Sequence, residues 1–311
     1  MHRAGRRLDL KTGFTCNNRC NFCVQGDRRV HEEDRETAEL VALLESGRDY
    51  ADGVVLTGGE CTLRKDIVEI AAAARDLGYT TIQIQTNGRK LSNEAFCDAL
   101  IAAGVTEFGP SLHGAIAATH EAQTHAKGSF KQTVQGIRNL VARRQRVIVN
   151  SVVTRSNLTE LPRLGELLVA LGVHQYQLAM VHPLGSAAKH HGDVVPKLRE
   201  AAPWVKSGIR PGIAAGVRVM VEAMPPCEMI GFEAYIAENW IPHTRIEDVG
   251  RTVPDYRAAR VGEGKAKGPP CEACTWNAEC EGPWREYPEL HGWGGVVPRS
   301  DPPIAHNSVS P

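Results

Sequence analysis

The chain has no excess of charge of either sign and no long hydrophobic run. Its 311 residues include 36 lysines and arginines and 36 aspartates and glutamates, so the formal net charge at pH 7 is zero. Without such an excess, no global field recruits nucleic acid or an acidic membrane surface. No run reaches the roughly 18 apolar residues of a membrane span, and the basic residues 1–7 precede no signal-peptide core. We therefore expect a cytoplasmic protein with neither a nucleic-acid nor a membrane partner.

The sequence also lacks the even cysteine set of a secreted disulfide framework. Its nine cysteines cluster at short spacings, which indicates metal ligation in a reducing compartment. Cys16, Cys20 and Cys23 form a C-x3-C-x2-C pattern. Three thiolates can hold three irons of a cubane cluster and leave the fourth iron open, whereas a closed cluster takes four cysteines. A zinc site is the alternative, and it would need a fourth ligand such as Cys61 or a histidine.

Short apolar strands alternate with helical segments between residues 7 and 187. Six strand–helix repeats predict a parallel sheet with right-handed crossovers. Because six repeats are too few for an eight-stranded barrel, we expect an α/β fold of the partial (β/α)6 TIM type. The predicted strands are residues 7–14, 53–56, 81–85, 107–112, 147–153 and 175–181, and the predicted helices are 36–48, 66–77, 93–103, 129–144 and 160–171.

Polar residues recur on these strands at positions that a closed barrel would fill with branched apolar side chains. In residues 81–87, Ile82 and Ile84 share one face, and polar side chains occupy the other. Such polar faces predict a wet, functional lumen whose site lies at the carboxyl ends of the strands. The polar positions are Gln83, Gln85, Asn87, Ser111, His113, Asn150 and His182.

The cysteine loop and the strand that ends in Gly58-Gly59-Glu60 together resemble the radical S-adenosylmethionine (SAM) superfamily. The resemblance implies that Cys16, Cys20 and Cys23 hold a catalytic [4Fe–4S] cluster, whose open iron binds the amino and carboxylate groups of SAM. Reduction of the cluster would cleave SAM to methionine and a 5′-deoxyadenosyl radical, which abstracts hydrogen from a substrate. The glycines would let the backbone approach SAM. The implied SAM-binding residues are Gly58, Gly59, Glu60, Asn87, Ser111, His113 and Asn150.

Two reservations accompany this resemblance. Ser111, His113 and Asn150 can equally be ordinary polar groups at strand ends. The family commonly has proline after Gly-Gly-Glu, where this chain has Cys61. We interpret Cys61 as a passenger, and Cys97 as a small core residue.

Beyond residue 190 the composition changes to proline, glycine and charged residues, with a predicted helix at 195–207 and a strand at 217–222. The pattern Cys271-x2-Cys274-x5-Cys280 resembles the auxiliary-cluster region of SPASM or twitch radical SAM enzymes. With Cys227 it implies a second, closed [4Fe–4S] cluster for electron transfer or structure, and a zinc ribbon is the alternative. The expected domains are a radical SAM core (1–190), an auxiliary-cluster domain (191–293) and a disordered proline-rich tail (294–311).

The substrate is not fixed by these patterns. The resemblance implies an electron donor such as flavodoxin or ferredoxin, and a peptide or a polar small molecule as substrate. No N-terminal domain that could recognise a leader peptide is expected, which disfavours peptide modification without excluding it. The alternative from a different class is a non-catalytic iron–sulfur electron carrier or a zinc-binding structural protein, neither of which needs an open iron or a polar lumen.

Overall fold

The computed structural model describes residues 5–303 of the chain, and its centre is one open sheet of nine strands. In chain order the strands are β1 (Arg7–Lys11), β2 (Gly53–Thr57), β3 (Thr81–Thr86), β4 (Glu107–Pro110), β5 (Arg146–Val153), β6 (Gln175–Met180), β7 (Arg218–Glu222), β8 (Thr244–Asp248) and β9 (Arg251–Val253). Their order across the sheet is β7-β6-β5-β4-β3-β2-β1-β8-β9. Strands β1 to β8 pair in parallel, and only the β8–β9 pair is antiparallel.

Helices connect the parallel strands, as right-handed crossovers require. The longer helices are α2 (Thr37–Gly47), α3 (Ile67–Asp76), α4 (Glu94–Ala102), α5 (Ala117–Thr124), α6 (Ser129–Ala142), α7 (Leu161–Ala170) and α10 (Leu198–Ala214). The short ones are α1 (Arg28–His31), α8 (Ser186–Lys189), α9 (His191–Val194), α11 (Tyr256–Ala259), α12 (Pro269–Glu272) and α13 (Tyr287–His291). Single 3₁₀ turns lie at Cys61–Leu63, Lys90–Ser92, Leu158–Glu160, Glu233–Tyr235 and Ala237–Asn239, and a π-helical turn lies at Arg260–Gly264.

Alternation along each strand separates the apolar core from a polar lumen. In β1, Leu8 and Leu10 are fully buried and belong to the same core cluster as Leu40 and Leu44 of α2. The intervening side chains of β1 point to the other face of the sheet. Ile82 and Ile84 of β3 are likewise buried in this core. The predicted α/β partial barrel is therefore confirmed: the sheet is parallel, covered by helices and not closed.

The sheet is wider than the six predicted strands. The predicted strand at 217–222 pairs with β6 as β7, and β8 pairs with β1 at the other end. Sequence patterning missed β8 because Thr244-Arg-Ile-Glu-Asp248 is short, charged and only partly buried. Since β7, β8 and β9 join the central sheet, the predicted domain division at residue 190 is not visible in the sheet, and it stays a prediction.

Helix α10 extends seven residues beyond the predicted end at 207, to Ala214, although Pro211 lies within it. Its apolar face explains the extension. A Cβ atom on Gly208 would lie 2.9 Å from Leu178, and one on Gly212 would lie 2.3 Å from Val219. This close packing on β6 and β7 offsets the cost of the backbone hydrogen bond that is lost at Pro211.

The structure departs from the predicted disordered tail at residues 294–303, which are ordered. Residues 304–311 lie outside the described residues. Residues 294–303 are described, and Arg299 is buried there, with its guanidinium against Glu233 and Asp301. Proline content suggested disorder, but one arginine with two carboxylate partners fixes the segment in place. No helix within residues 5–303 is long and apolar enough to cross a membrane.

Candidate active site

The three predicted cluster cysteines lie in the loop that follows β1. The loop is bound to the end of β2, because Gly13 O accepts from Gly59 N and Thr15 O accepts from Glu60 N, each at 2.8 Å. A Cβ atom on Gly58 would lie 2.1 Å from Gly13 O, and one on Gly59 would lie 2.3 Å from Phe14 O. The two glycines therefore let the loop and the strand end approach each other, whereas the sequence suggested an approach to a ligand.

All three thiols of this loop are free and half-buried. Burial raises the pKa of Cys16 and of Cys20, and the neighbouring thiols act in the same direction. The backbone N–H of Asn18 donates to Cys16 Sγ at 3.4 Å. Iron ligation requires thiolates, and cationic iron offsets the cost of forming them in this place. Three mutually close thiols with a backbone donor fit the cysteine set of a cluster with one open iron.

The Glu60 carboxylate is enclosed and accepts four hydrogen bonds. Its Oε1 accepts from the Thr62 backbone N–H and from the hydroxyls of Thr62 and Thr86, and its Oε2 accepts from Asn87 N at 2.5 Å. Burial raises the pKa of Glu60, and these donors counteract the rise. Because Oε2 has one donor and a carboxylate oxygen can accept two, it retains room for the ammonium donor that the sequence analysis expects.

Asn87 connects the end of β3 to the cysteine loop. Its side-chain amide donates to Asn17 Oδ1 at 2.6 Å, and its Oδ1 accepts from Arg89 N. Both functional groups of the side chain are thus occupied within the protein. The structure places Asn87 at the predicted site, in a position that holds the loop.

Ser111, directly after β4, lies beside Asn150 of β5, and an isolated parallel bridge joins the two residues. Asn150 Oδ1 is buried and has no hydrogen-bond partner in the described part of the chain. A buried acceptor without a partner is costly and needs an explanation. A polar ligand in the lumen, such as the hydroxyls and amino group of SAM, would satisfy it, so these residues fit the implied cofactor.

His113 is buried, and the position of its proton follows from its contacts. Its Nδ1 accepts from Val152 N at 3.1 Å, so the proton lies on Nε2. The imidazole meets the ring of Phe22 edge-on, with centroids 4.7 Å apart, and stacks with His120 at 5.7 Å. Burial lowers the pKa of His113 well below its usual value. His113 is therefore a neutral donor beside the cysteine loop.

Several residues of the site were missed by the sequence analysis. Thr86 lies on the same face of β3 as Ile82 and Ile84, so alternation gave no sign that it belongs to the site. Asn17 lies inside the cysteine pattern at a position with no spacing signal. His120, which accepts from His113 N through Nδ1, was visible only as one residue of the segment after β4. Cys61 is buried and its thiol donates to backbone carbonyls, as does that of Cys97.

The four C-terminal cysteines that the resemblance groups together line a pocket of their own. The backbone N–H of Gly282 donates to Cys280 Sγ at 3.2 Å, and that of Arg299 donates to Cys274 Sγ at 3.4 Å. Burial raises the pKa of Cys227 to about 12 and that of Cys280 to about 11. Residues 296–298 also line this pocket. The four cysteines that line it are Cys227, Cys271, Cys274 and Cys280.

A buried ionic network lies between β7 and the cysteine-rich segment. Arg260 donates to Glu222 Oε1 at 2.5 Å, to Glu238 Oε1 at 2.6 Å and to Glu281 Oε2 at 3.0 Å. Lys265 adds an ion pair to Glu238 at 3.5 Å. The side chains of Arg260 and Lys265 are each 1% exposed, whereas that of Glu222 is 20% exposed. The two cations are therefore enclosed, whereas the Glu222 carboxylate is partly accessible.

His182 lies near this network, at the carboxyl end of β6. Its ring stacks on Trp284 with centroids 3.9 Å apart, and its Nε2 lies 3.1 Å from Glu286 Oε2. Trp284 follows Cys280 by four residues, and its Nε1 donates to the carbonyl of Met180 at 3.3 Å. It packs against the barrel there and adds no metal ligand.

The fold and the site together define an open parallel α/β barrel with three free cysteines in the loop after its first strand. A family model described as the radical SAM superfamily matches residues 10–168. A probable GTP 3',8-cyclase of Saccharolobus islandicus (strain Y.N.15.51 / Yellowstone #2) is 34% identical over 217 residues, which cover 66% of this chain and 67% of that protein. This chain belongs to the radical SAM superfamily.

Solved structures show the same fold at low sequence identity. SuiB of Streptococcus suis bound to S-adenosylmethionine aligns with a TM-score of 0.63 and 15% identity, covering 84% of this chain and 62% of that one. anSMEcpe with bound AdoMet aligns with a TM-score of 0.57 and 17% identity, covering 70% and 64%. This chain thus spans less than two thirds of the length of either structure.

Proposed function

We propose that the chain is a radical SAM enzyme of the oxidoreductase type, with a [4Fe–4S] cluster on Cys16, Cys20 and Cys23. One observation carries the proposal: three free thiols lie in a loop that is hydrogen-bonded to Gly59 and Glu60. When bound, the cluster and SAM supply a 5′-deoxyadenosyl radical that abstracts hydrogen from the substrate.

The side chains around the loop have distinct roles in this proposal. Glu60 Oε2 accepts from the SAM ammonium, and Asn150 Oδ1 accepts from a second donor of SAM. Ser111, beside Asn150, and His113, as a neutral Nε2–H donor, hydrogen-bond to SAM oxygens. Asn87 acts indirectly, because it fixes the cysteine loop through Asn17.

We also propose a second, SPASM- or twitch-like [4Fe–4S] cluster on Cys227, Cys271, Cys274 and Cys280. The four cysteines line one pocket, and two of them accept backbone N–H bonds, which tune cluster potentials. Four protein ligands close this cluster and favour a role in electron transfer.

The substrate we propose is a peptide or a polar small molecule that presents N–H donors. The relatives named probable GTP 3',8-cyclase make GTP one compound to test, and the solved SuiB complex with the precursor peptide SuiA makes a peptide another. Beside β7 the three carboxylates of Glu222, Glu238 and Glu281 are paired with only two cations, Arg260 and Lys265, and this excess of negative charge would disfavour a triphosphate. This charge favours a substrate with amine or guanidinium groups. Nine free cysteines support a reducing, cytoplasmic location.

The first test measures 5′-deoxyadenosine after anaerobic reconstitution with iron and sulfide, with dithionite and SAM added. We expect product from the wild type and none above background from Cys20→Ala. Cys97→Ala removes a buried thiol outside both sites and should keep the wild-type yield. A wild type with a loaded N-terminal cluster and no product would favour the iron–sulfur carrier.

The second cluster is tested by iron content. The wild type should hold about 8 irons per chain, and both Cys271→Ala/Cys274→Ala and Cys16→Ala/Cys20→Ala should hold about 4. Zinc without iron in the Cys16→Ala/Cys20→Ala variant would assign the C-terminal site to a zinc ribbon.

A further inference from the structure

Three arginines lie at the amino-terminal edge of the sheet. Arg7, Arg146 and Arg218 are the first residues of β1, β5 and β7, and we call them the arginine cluster. In each strand the next residue is buried in the core, so the arginine itself faces the lumen. The cysteine loop follows the carboxyl end of β1. The arginine cluster therefore lies at the opposite end of the lumen from that loop.

A single carboxylate pairs with the arginine cluster within residues 5–303, and it belongs to Glu107, the first residue of β4. Its Oε1 lies 2.9 Å from Arg146 Nε, and its Oε2 lies 3.6 Å from Arg7 Nη2. Arg7 also donates to Gln83 Oε1 at 3.5 Å. Three cations against one carboxylate leave this end of the lumen with a net charge of +2.

The guanidinium of Arg218 has no partner in the described part of the chain. Its Nε is buried and makes no hydrogen bond. Burial lowers the pKa of Arg218, and the charges of Arg146 and Arg7 act in the same direction. Enclosed arginines elsewhere differ, since Arg260 has three carboxylate partners and Arg299 has two. Because an unpaired buried cation is costly, this arrangement calls for an anionic ligand.

A buried amide adds a hydrogen-bond donor between two of these arginines. Gln175 of β6 is the register partner of Arg218, and β6 lies between β5 and β7. The Nε2 of Gln175 donates to Met220 Sδ at 3.3 Å. Since a thioether sulfur is a weak acceptor, the amide retains the capacity to donate to an anionic oxygen. The site is open to solvent, because the side chains of Arg7 and Arg146 are 33% and 47% exposed.

We propose that the arginine cluster binds the phosphate group of a small molecule at the amino-terminal mouth of the barrel. Guanidinium groups bind phosphate oxygens through paired hydrogen bonds, and a phosphate dianion matches the net charge of the site. The bound phosphate links β7, the edge strand, to β5 and to β1 across the lumen. Barrel enzymes carry out their chemistry at the carboxyl ends of the strands. This ligand is therefore a stabilising or regulatory one, and the inference does not depend on the proposed function.

Calorimetric titration of inorganic phosphate into the desalted, reconstituted protein tests this site. At an ionic strength held constant with KCl, we expect saturable binding by the wild type and about tenfold weaker binding by Arg218→Met, which removes charge-assisted hydrogen bonds. Arg19→Met removes an exposed arginine of the cysteine loop and should bind like the wild type. No saturable binding by the wild type, or equal affinities for the wild type and Arg218→Met, would overturn the proposal.

Glycerol 3-phosphate, titrated in the same way, identifies the source of the phosphate group. Tighter binding than that of inorganic phosphate indicates an organic phosphate, and weaker binding indicates the free ion. Both results support the site, provided that Arg218→Met weakens them.

Urea unfolding gives a second readout and shows whether Arg218→Met folds. Without phosphate the variant should be at least as stable as the wild type, because methionine replaces an unpaired, half-buried cation with an apolar side chain. Added phosphate should raise the urea midpoint of the wild type, since it binds the folded state alone, and should leave that of Arg218→Met unchanged. Equal rises in the two proteins would assign the effect to the general exclusion of phosphate from protein surfaces and contradict a specific site.

Discussion

At the scale of single residues, the site depends on Glu60 as much as on its cysteines. Its carboxylate accepts from four donors that lie on the turn after β2 and on the end of β3. The Glu60 carboxylate, which the resemblance implies as a contact of SAM, thus also holds the ends of β2 and β3 together.

Glu60→Gln should lower the free energy of unfolding by about 1–3 kcal/mol. The new amide nitrogen would face a buried donor, and an unsatisfied polar group carries that cost. Anaerobic denaturant unfolding of the cluster-free protein measures it. The exposed Glu36→Gln should change the value by less than about 0.5 kcal/mol. An unchanged Glu60→Gln protein would mean that the carboxylate is not part of this bonding.

His120 gives the stability of the protein a dependence on pH. Its side chain is buried, and burial lowers its pKa to about 4. A histidine with a lowered pKa in the fold binds fewer protons than in the unfolded chain, so its contribution is present above about pH 6.5 and is lost as pH falls toward 4. The free energy of unfolding should therefore decrease with falling pH, by up to about 1.4 kcal/mol per pH unit from this residue.

The His120→Gln variant removes the contribution of this histidine to the pH dependence of stability. Its unfolding free energy, measured between about pH 7 and pH 5, should fall less steeply than that of the wild type. His31→Gln, on the exposed end of α1, should keep the wild-type slope. Parallel curves for His120→Gln and the wild type would refute the buried neutral state of this histidine.

At the scale of elements, the segment 294–303 acts as a cover over the second cysteine pocket. Arg299 is its anchor: the guanidinium donates to Glu233 at 2.5 Å and to the carbonyl of Pro226, and lies over the ring of Trp276. Its backbone N–H donates to Cys274 Sγ. Arg299 thus connects segment 294–303 to the residues Pro226 and Glu233 and to the proposed cluster ligand Cys274.

Arg299→Ala should destabilise the protein by about 3–5 kcal/mol, because it leaves Glu233 buried without its cation. It should also reduce iron retention at the C-terminal site. Iron per chain after exposure to a chelator measures this loss, with Arg138→Ala on the exposed surface of α6 as the control. Retention equal to that of the control would show that the cover is not needed to hold the cluster.

At the scale of the whole molecule, Arg260 joins the edge of the central sheet to the cysteine-rich segment. Its three carboxylate partners lie on β7, on the turn Ala237–Asn239 and in the cysteine-rich segment. The network crosses the open side of the barrel near β7, the edge strand of the sheet.

Arg260→Ala should lower the free energy of unfolding by about 3–5 kcal/mol, because three partly buried carboxylates lose the buried cation that they share. Urea unfolding followed by tryptophan fluorescence reports it, since Trp284 packs against this network. Arg257→Ala, three residues earlier and exposed, should unfold like the wild type. A small effect at Arg260 would indicate that the C-terminal region folds on the barrel without it.

The sequence was sufficient for the barrel and for the cysteine sets, because both depend on local patterns. Alternation placed Ile82 and Ile84 in the core, and spacing grouped Cys271, Cys274 and Cys280, which line one pocket. It was insufficient where contacts join distant segments. The partners of Arg260 are separated from it by up to 38 residues, the pairing of β8 with β1 spans most of the chain, and the anchor in the tail depends on Glu233. No local sequence pattern predicts contacts between residues so far apart in the chain.

The cover over the second cysteine pocket determines where the chain can be truncated for experiments. A domain boundary drawn from sequence at residue 293 removes residues 296–298 from the wall of that pocket, together with the anchor at Arg299. A chain cut there would keep all nine cysteines and every proposed ligand, yet leave four of its thiols open to oxygen and chelators. Its loss of iron in air would then reflect the missing wall and not the chemistry of the native centre.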